Sequence, residues 1–545
     1  MSKTWKRLAS MLLALMLVLS LAPALAEGEE PIVITVSGVM ARPNNDLVYM
    51  HYLEKKFNVK FECNFMSKEA WETQSTILLA NDNLPDLLLD VNFSKLDADR
   101  YGQEGFFLDF TKYLDIMPDY AALLEKDHAL NAFARDEFGS IYGMYKTRGN
   151  LCSREVAMAY MNNEWLKNVG MEYPTTTEEL YNVLKAFKEK DANGNGDPDD
   201  EIPFSFTVDQ ASGQRVEFSI RNSFGIYGYK NNYQLQVTDG KVWLADVSDN
   251  YKAYLTFMHR LYKDKLLDND CFIQTNDEYQ AKINAGRVGY FGSWSTLDRV
   301  FTNEDKRMYL DYTFVTGFKS DLVDEIIYPL WNPVTETAVD VVSASTKHPE
   351  KICEILNYFY TEQGMQDVWL CCDGVNGTLV EGPYGLKSVD GTGYYEDSGM
   401  SYIDWKASNS HVDNAFVYTQ YNMAQKLVDE STLEELKGYL DEAAKMDDPS
   451  QQVLLIDAFK DYYVRQVKTC DDYPQVSYTT AEAEEKAIIL TDITTYLKSM
   501  KAQFITGEID IETGWDTYLQ RLSEMRLDRL MEIEQEAYDR YAKNL

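Results

Sequence analysis

Ile32-Val-Ile-Thr-Val-Ser37, Val48-Tyr-Met-His-Tyr-Leu-Glu-Lys-Lys56, Lys60-Phe-Glu-Cys-Asn-Phe65 and Asp86-Leu-Leu-Leu-Asp90 are the stretches that decide the fold. The first is continuous, β-branched and apolar, which predicts a buried strand. The second carries a helical pattern. Lys60 to Phe65 alternates as a second strand, Lys68 to Asn81 reads as an amphipathic helix, and Pro85 precedes a third strand at Asp86 to Asp90. Strand, helix, strand, helix, strand over so short a span predicts a parallel sheet, because parallel strands need helical crossovers. Ligands of such sheets bind in loops at the strand C-terminal ends. Arg42 to Asp46 and Asp90 to Ser94 are therefore candidate ligand loops.

Further along, helices are expected at Thr177 to Lys190 with a threonine N-cap, at Tyr251 to Lys263, at Asp277 to Ala285 and at Pro349 to Gln363. Glu178 and Glu179 in the first turn of the first of these suit the helix dipole. Gly289 to Trp294 reads as a strand feeding a Gly-Ser-Trp loop, and Asp340 to Ser343 as a short buried strand. Residues 371–400 are rich in Gly and Asp and carry no helical pattern. From Thr480 onward the chain is charged and almost wholly helical. The alternation predicts an α/β protein of two lobes, with the chain crossing between them more than once.

At the N-terminus, Lys3, Lys6 and Arg7 precede the uncharged apolar run Leu8 to Leu21, and Ala24-Leu25-Ala26 has the small-x-small form cut by signal peptidase. The stretch from Leu8 to Ala26 is barely one membrane span, contains Pro23 and meets Glu27, Glu29 and Glu30 at once. Cleavage after Ala26 and export are expected, with no cysteine following to take a lipid. The remaining chain is too long for one ordinary core and suits two or three domains. The full sequence has 88 acidic against 52 basic residues and a net charge of -36; so acidic a chain repels phosphate backbones, and nucleic acid is not expected as a partner. The seven cysteines, Cys63, Cys152, Cys271, Cys353, Cys371, Cys372 and Cys470, are scattered without metal-ligand spacing and read as free thiols.

The most specific local signal is Asp191-Ala-Asn-Gly-Asn195-Gly-Asp-Pro-Asp-Asp200-Glu201. Oxygen-bearing side chains at alternate positions, with glycines between, let a short loop curl around one hard cation such as Ca²⁺, which takes about six to eight oxygens. Asp191, Asn193 and Asn195 would offer side-chain oxygens, Asp197 its carbonyl and Asp199 a carboxylate. Asp200 or Glu201 would close the shell. The closing acid comes earlier than the twelfth position of an EF-hand. The competing reading is an acidic turn whose Asn-Gly steps supply positive φ.

The run Met161-Asn-Asn-Glu-Trp165-Leu-Lys-Asn-Val-Gly170 through Phe187-Lys-Glu-Lys-Asp191 into this loop resembles family 1 extracellular solute-binding proteins. It is most similar to their long, calcium-containing subgroup, which includes alginate- and oligosaccharide-binding proteins of ABC importers. Leu84-Pro-Asp86, Ile141-Tyr-Gly143, Lys347-His-Pro349, Phe504-Ile-Thr-Gly507 and Ala537-Tyr-Asp-Arg540-Tyr541 extend the resemblance to about residues 32–543. It implies a type II, periplasmic-binding-protein-like clamp of two α/β lobes with a helix-rich C-terminal part, working as a monomer. One lobe would hold residues 27–158 and about 320–365, the other 159–319 and about 366–545. A structural Ca²⁺ would sit in the second lobe, away from the cleft. The partners implied are an oligosaccharide or other small solute and the permease subunits of an ABC importer.

Sugar sites pair aromatic platforms with polar side chains, and the chain is 13% aromatic. Trp294 and Trp331 are the expected platforms, with Tyr145, Arg148, Asn45 and Asp90 reaching from the first lobe. The alternative for each is core or hinge packing. Catalysis finds little support: the five histidines are dispersed, there is no His-Glu-x-x-His or Gly-x-Ser-x-Gly, and no spacing selects a carboxylate pair. A sensor or scaffold component, a peptide receptor and a secreted carbohydrate-active enzyme are the competing readings.

Overall fold

A computed structural model describes residues 30–543 apart from 41–42, 82, 148–153, 155–158, 198, 209–214, 229–232, 294–311, 362, 365–378, 383–384, 389–430, 444–459 and 461. The expected signal peptide, with Ala26, therefore lies outside the described residues, as do Cys152, Cys371 and Cys372.

Strands β1 (Ile32–Val39), β2 (Val59–Met66) and β3 (Leu87–Leu89) are joined by helices α1 (Val48–Phe57) and α2 (Lys68–Ala80). The parallel pairing expected from the sequence is present: β1 pairs in parallel with β2 from Ile32↔Val59 to Val39↔Met66, and with β3 from Val36↔Leu87 to Gly38↔Leu89. A short β4 (Phe93–Ser94) leads into α3 (Lys95–Gln103), where Ser94 Oγ caps the helix by accepting from the Asp97 N–H. After β5 (Met144–Thr147) the chain enters a second, four-stranded sheet. Its strands are β6 (Ala159–Asn162), β7 (Ile202–Phe204), β8 (Val288–Gly292) and β9 (Tyr312–Phe314), in the order β9-β6-β8-β7. Helices α4 (Thr177–Glu189) and α5 (Asp249–Lys263) belong to this half. Thr176 and Glu179 form a reciprocal capping box on α4.

The chain then makes β10 (Ile327–Leu330) and at once β11 (Val334–Val342), which returns to the first sheet. There β11 pairs antiparallel with β3, β4 and β5, so six strands run in the order β2-β1-β3-β11-β4 with β5 also on β11. The expected strand at Asp340 to Ser343 is thus the end of a longer one. Its antiparallel sense was hidden because pairing partners lie hundreds of residues away. Parallel to β10 runs β12 (Lys468–Asp471), and the chain ends in α6 (Thr480–Thr506), α7 (Ile511–Glu524) and α8 (Leu527–Lys543), the helical ending expected.

Two hydrophobic cores result. Ile34, Leu88, Phe110, Tyr120, Val341 and Ile352 belong to the first. The second gathers Trp165, Phe187, Tyr254, Met258, Ile493 and Phe504, so α6 packs on α5 from the far end of the chain. A smaller cluster of Tyr160, Phe291, Phe314, Tyr328 and Val464 adjoins it. Each such fully buried side chain contributes roughly 1.5–3 kcal/mol. Cys63, Cys271, Cys353 and Cys470 are free thiols, and burial pushes the Cys63, Cys353 and Cys470 thiols up to about 12. They are inert at neutral pH.

At Gly289 in β8, an added Cβ would lie 2.6 Å from the Trp165 ring and 2.7 Å from the Phe187 ring. Those rings already meet edge to face, 5.2 Å between centroids. Gly289→Ala is expected to overpack the second core and cost about 1–3 kcal/mol, measured by urea denaturation followed at tryptophan fluorescence.

Candidate functional site

Between the two cores lies a cleft of about 450 Å³, within the range of small-ligand sites. The first half supplies Ser94, Lys95 and Leu96 at the start of α3, with Phe133 and Val334. The second half supplies Tyr233 and Leu235, the segment Asp472 to Val476, Tyr478, and Lys486 of α6. Trp331 and Asn332, between β10 and β11, complete the wall.

The crossing is tied in both directions. The Trp331 N–H donates to the Arg154 carbonyl at 2.6 Å, and Arg154 Nε donates to the Trp331 carbonyl at 2.9 Å. Arg154 also reaches Asp471 Oδ1 at 2.6 Å, so it joins both β10 and β12 ends. The Arg215 guanidinium lies 4.4 Å from the centre of the Trp331 ring, a cation–π contact that fixes the ring's orientation.

On the second-half wall, Glu534 of α8 is wholly buried. Its carboxylate accepts from the hydroxyls of Tyr233 (2.8 Å), Tyr478 (2.7 Å) and Tyr473 (3.2 Å), and pairs with Lys486 Nζ at 2.8 Å. Burial, with the Glu534 charge beside them, holds the Tyr233 and Tyr478 hydroxyls well above the usual phenol range, so both remain donors. Lys486 Nζ also donates to Tyr478 Oη at 2.6 Å. One carboxylate thus orders three aromatic rings and one cation of the cleft wall.

The loop after α4 is separate from this cleft. Gly194 (φ 74°) and Gly196 (φ 91°) turn it through left-handed backbone. The Asn195 N–H donates to Asn193 Oδ1 at 2.9 Å, and the Asp197 N–H to Asn195 Oδ1 at 2.7 Å. Asp191 Oδ2 accepts from the Gly196 N–H at 2.9 Å, and Glu201 Oε1 from the Ala192 N–H at 2.9 Å. Asp200 takes the side-chain amides of Asn193 and Asn195. Asp191 Oδ1 and Glu201 Oε2, the second oxygens of those two carboxylates, are buried without a hydrogen-bond partner. Among the described residues no three His, Cys, Asp or Glu side chains cluster as a metal site. The donor set here mixes carboxylate, amide and main-chain oxygens instead, and that oxygen-only chemistry with two orphaned carboxylate oxygens fits a hard cation.

Residues 49–374 match the sequence model of the bacterial extracellular solute-binding proteins. The chain belongs to this family. The fructooligosaccharide ABC transporter substrate-binding protein FusA of Streptococcus pneumoniae is 26% identical over 522 residues, covering 92% of this chain and 88% of that protein. Among solved structures, a human-milk-oligosaccharide-binding solute-binding protein of Bifidobacterium longum infantis superposes with a TM-score of 0.73. It is 21% identical and covers 94% of this chain and 99% of its own. The fructo-nystose complex of an EF-hand mutant of FusA gives 0.68 at 21% identity, covering 94% and 100%. The alginate-binding protein AlgQ2, solved without calcium, gives 0.61 at 17% identity, covering 94% and 99%. The fold is accordingly the two-lobed clamp of the substrate-binding proteins. FusA and the Bifidobacterium protein are substrate- or solute-binding proteins of ABC transporters, and no described helix is long and apolar enough to cross a membrane.

Among the residues expected at the ligand of this solute-binding protein, Trp331 lines the cleft. Trp294 and Arg148 lie outside the described residues. Tyr145 lies in β5, all four of whose residues are buried, and packs against Phe133, itself a lining residue of the cleft. Asn45 is exposed and uses its side-chain oxygen to accept from the Phe65 N–H at 2.7 Å, anchoring its loop to β2. Asp90 sits in left-handed backbone (φ 52°) and accepts from Asn92 Nδ2 at 2.7 Å. Neither lines the cleft of this structure. Phe133, Tyr233, Tyr473, Tyr478 and Lys486 were not anticipated. The signal available was the aromatic, proline-containing segment Tyr473 to Tyr478 immediately before a threonine-capped helix.

Glu534→Ala would remove the buried carboxylate that Lys486 and three tyrosine hydroxyls share. Breaking such a buried pair costs about 3–5 kcal/mol, so a matching loss of unfolding free energy in urea is the expected result.

Proposed function

We propose that this chain is an extracellular receptor that captures an oligosaccharide between its lobes and hands it to the permease subunits of an ABC importer. The observation that carries this reading is the cleft wall. Phe133, Tyr233, Trp331, Tyr473 and Tyr478, drawn from both halves and from the crossing between them, line one cavity with polar groups beside them. Sugars offer apolar ring faces and hydroxyls, and aromatic rings with nearby donors and acceptors match both. FusA, a fructooligosaccharide-transporter substrate-binding protein, aligns with 92% of the chain. On this reading the protein binds without catalysis, acts as a monomer, and is exported by the segment ending at Ala26. Trp294 and Arg148 belong to it as further contacts.

The test is titration calorimetry against a panel of oligosaccharides. A member that binds is expected to lose about tenfold or more in affinity in Trp331→Ala, as a buried aromatic anchor does. Unchanged affinity in a folded Trp331→Ala protein would remove that ring from the site, and steady turnover of any bound sugar would replace the receptor with an enzyme.

The loop from Asp191 to Glu201 is proposed as a structural Ca²⁺ site. Asp191, Asn193, Asn195, the Asp197 carbonyl and Asp199 are its donors, with Asp200 or Glu201 completing the shell. Of the two acids open for closure, Glu201 is favoured because its second oxygen is buried and unpartnered. A cation bound only by the folded state at a hundredfold excess over its Kd adds about 2.7 kcal/mol. Chelation is therefore expected to lower Tm by several degrees and re-addition of Ca²⁺ to restore it, with both responses absent in Asp191→Ala. No change of Tm after verified metal removal would refute the site.

A further inference from the structure

Tyr473 in the cleft wall begins a row of three half-buried tyrosines. Its ring centre lies 6.3 Å from that of Tyr538, and Tyr538 lies 6.2 Å from Tyr541, with successive planes inclined by 31° and 40°. Tyr538 and Tyr541 are on α8, where Glu534 comes one turn earlier. Spacings of four and then three residues put Glu534, Tyr538 and Tyr541 on one helix face. Glu534 turns that face to the cleft wall, because its carboxylate accepts from the hydroxyls of Tyr233, Tyr473 and Tyr478. The two tyrosines therefore continue the wall beyond the cavity. The row also runs toward the first half. Burial first, then the neighbouring Tyr538 and the charges of Asp127 and Asp471, push the Tyr541 hydroxyl above the usual phenol range. Asp127 is a first-half residue that accepts from Thr147 Oγ1 of β5 at 3.0 Å, and Asp471 ends β12 and holds Arg154 at 2.6 Å. Tyr541 thus stands where the first half, the crossing and α8 approach one another.

We propose that Tyr538 and Tyr541 form a second aromatic subsite, which stacks on the units of an oligosaccharide that extend past the cavity and makes affinity rise with chain length. This rests on the carbohydrate reading above. A cavity of about 450 Å³ is toward the small end of the usual range of ligand sites, so a longer sugar chain seated in it continues outside. The row of rings leaving the wall at Tyr473 gives that continuation a surface. Tyrosine offers a large face that covers the apolar side of a sugar ring, and rings already held by their neighbours lose little entropy on binding. The Asp471 side chain, 70% exposed, presents acceptor oxygens for hydroxyls of the same units. A row that served only to dock α8 on the segment before α6 would give no dependence on the length of the ligand.

The experiment is calorimetry on the full-length mature protein with ladders of fructo-, xylo-, manno- and galacto-oligosaccharides, each running from disaccharide to hexasaccharide. In the wild type, Kd is expected to fall by about tenfold or more from the shortest to the longest member of the ladder that binds. Tyr541→Ala is expected to remove that gain and leave the affinity for the shortest binder unchanged, whereas Tyr541→Phe, which keeps the ring, retains it. Tyr541→Leu keeps apolar volume without an aromatic face; it is expected to behave as the alanine variant does and replaces it if that variant lacks a cooperative melt. Equal affinity for short and long members in the wild type overturns the subsite and leaves the carbohydrate reading intact. So does a length gain that survives in the folded alanine or leucine variant, a loss shared equally by short and long members, or a loss in Tyr541→Phe as large as in Tyr541→Ala. Failure of every ladder to bind folded wild-type protein overturns the carbohydrate reading, and the subsite with it.

Discussion

Arg154 and Trp331 exchange hydrogen bonds across the two segments that pass between the cores, and the arrangement of the cleft depends on that tie. Leu330 ends a strand in one half and Val334 begins a strand in the other. The few residues between them cannot be lost in either core, because each core is closed by its own sheet. Trp331 is therefore held where the halves meet, with its main chain fixed by Arg154 and its ring by Arg215. A residue placed in this way is both the floor of the cleft and part of the connection about which a clamp would close.

The second-half wall shows how buried charge is made tolerable. Glu534 would be costly in an apolar interior if left alone. Three tyrosine hydroxyls and Lys486 surround it, contributed by α6, the segment before it and the stretch near Tyr233. A fully satisfied network of that kind fixes side-chain orientation more than it adds stability. Its consequence is a rigid row of aromatic rings facing the cavity, and rigidity lowers the entropic cost of binding a flexible solute.

The oxygen-rich loop solves a different problem. Its carboxylates and amides accept from the loop's own main-chain N–H groups, yet two carboxylate oxygens stay buried and unmet. The same residues thus read equally as a turn and as a coordination cage. In the proposed calcium form, the turn hydrogen bonds and the metal contacts use different oxygens of the same carboxylates.

Local patterns made much of the molecule legible. The β-branched run at Ile32, the alternation at Lys60 to Phe65, the threonine before α4, and the apolar periodicity of the last helices each act within a few residues, and each formed as the sequence predicts. The alternating donors at Asp191 to Asp199 were visible for the same reason. The burial of Tyr145 was not legible, because a strand residue beside a turn looks the same whether its face is covered or open. Its ring meets Phe133, and its strand neighbour β11 arrives from nearly two hundred positions away. The Glu534 node was invisible for a related cause: its partners at 233, 473, 478 and 486 carry no common spacing. Sequence by itself determined which segments become strands, helices and metal-type loops, since those choices rest on short-range periodicity and capping. Tertiary structure alone decided which aromatic rings face the cleft and which charges are neutralised behind it, since both depend on long-range packing between distant segments.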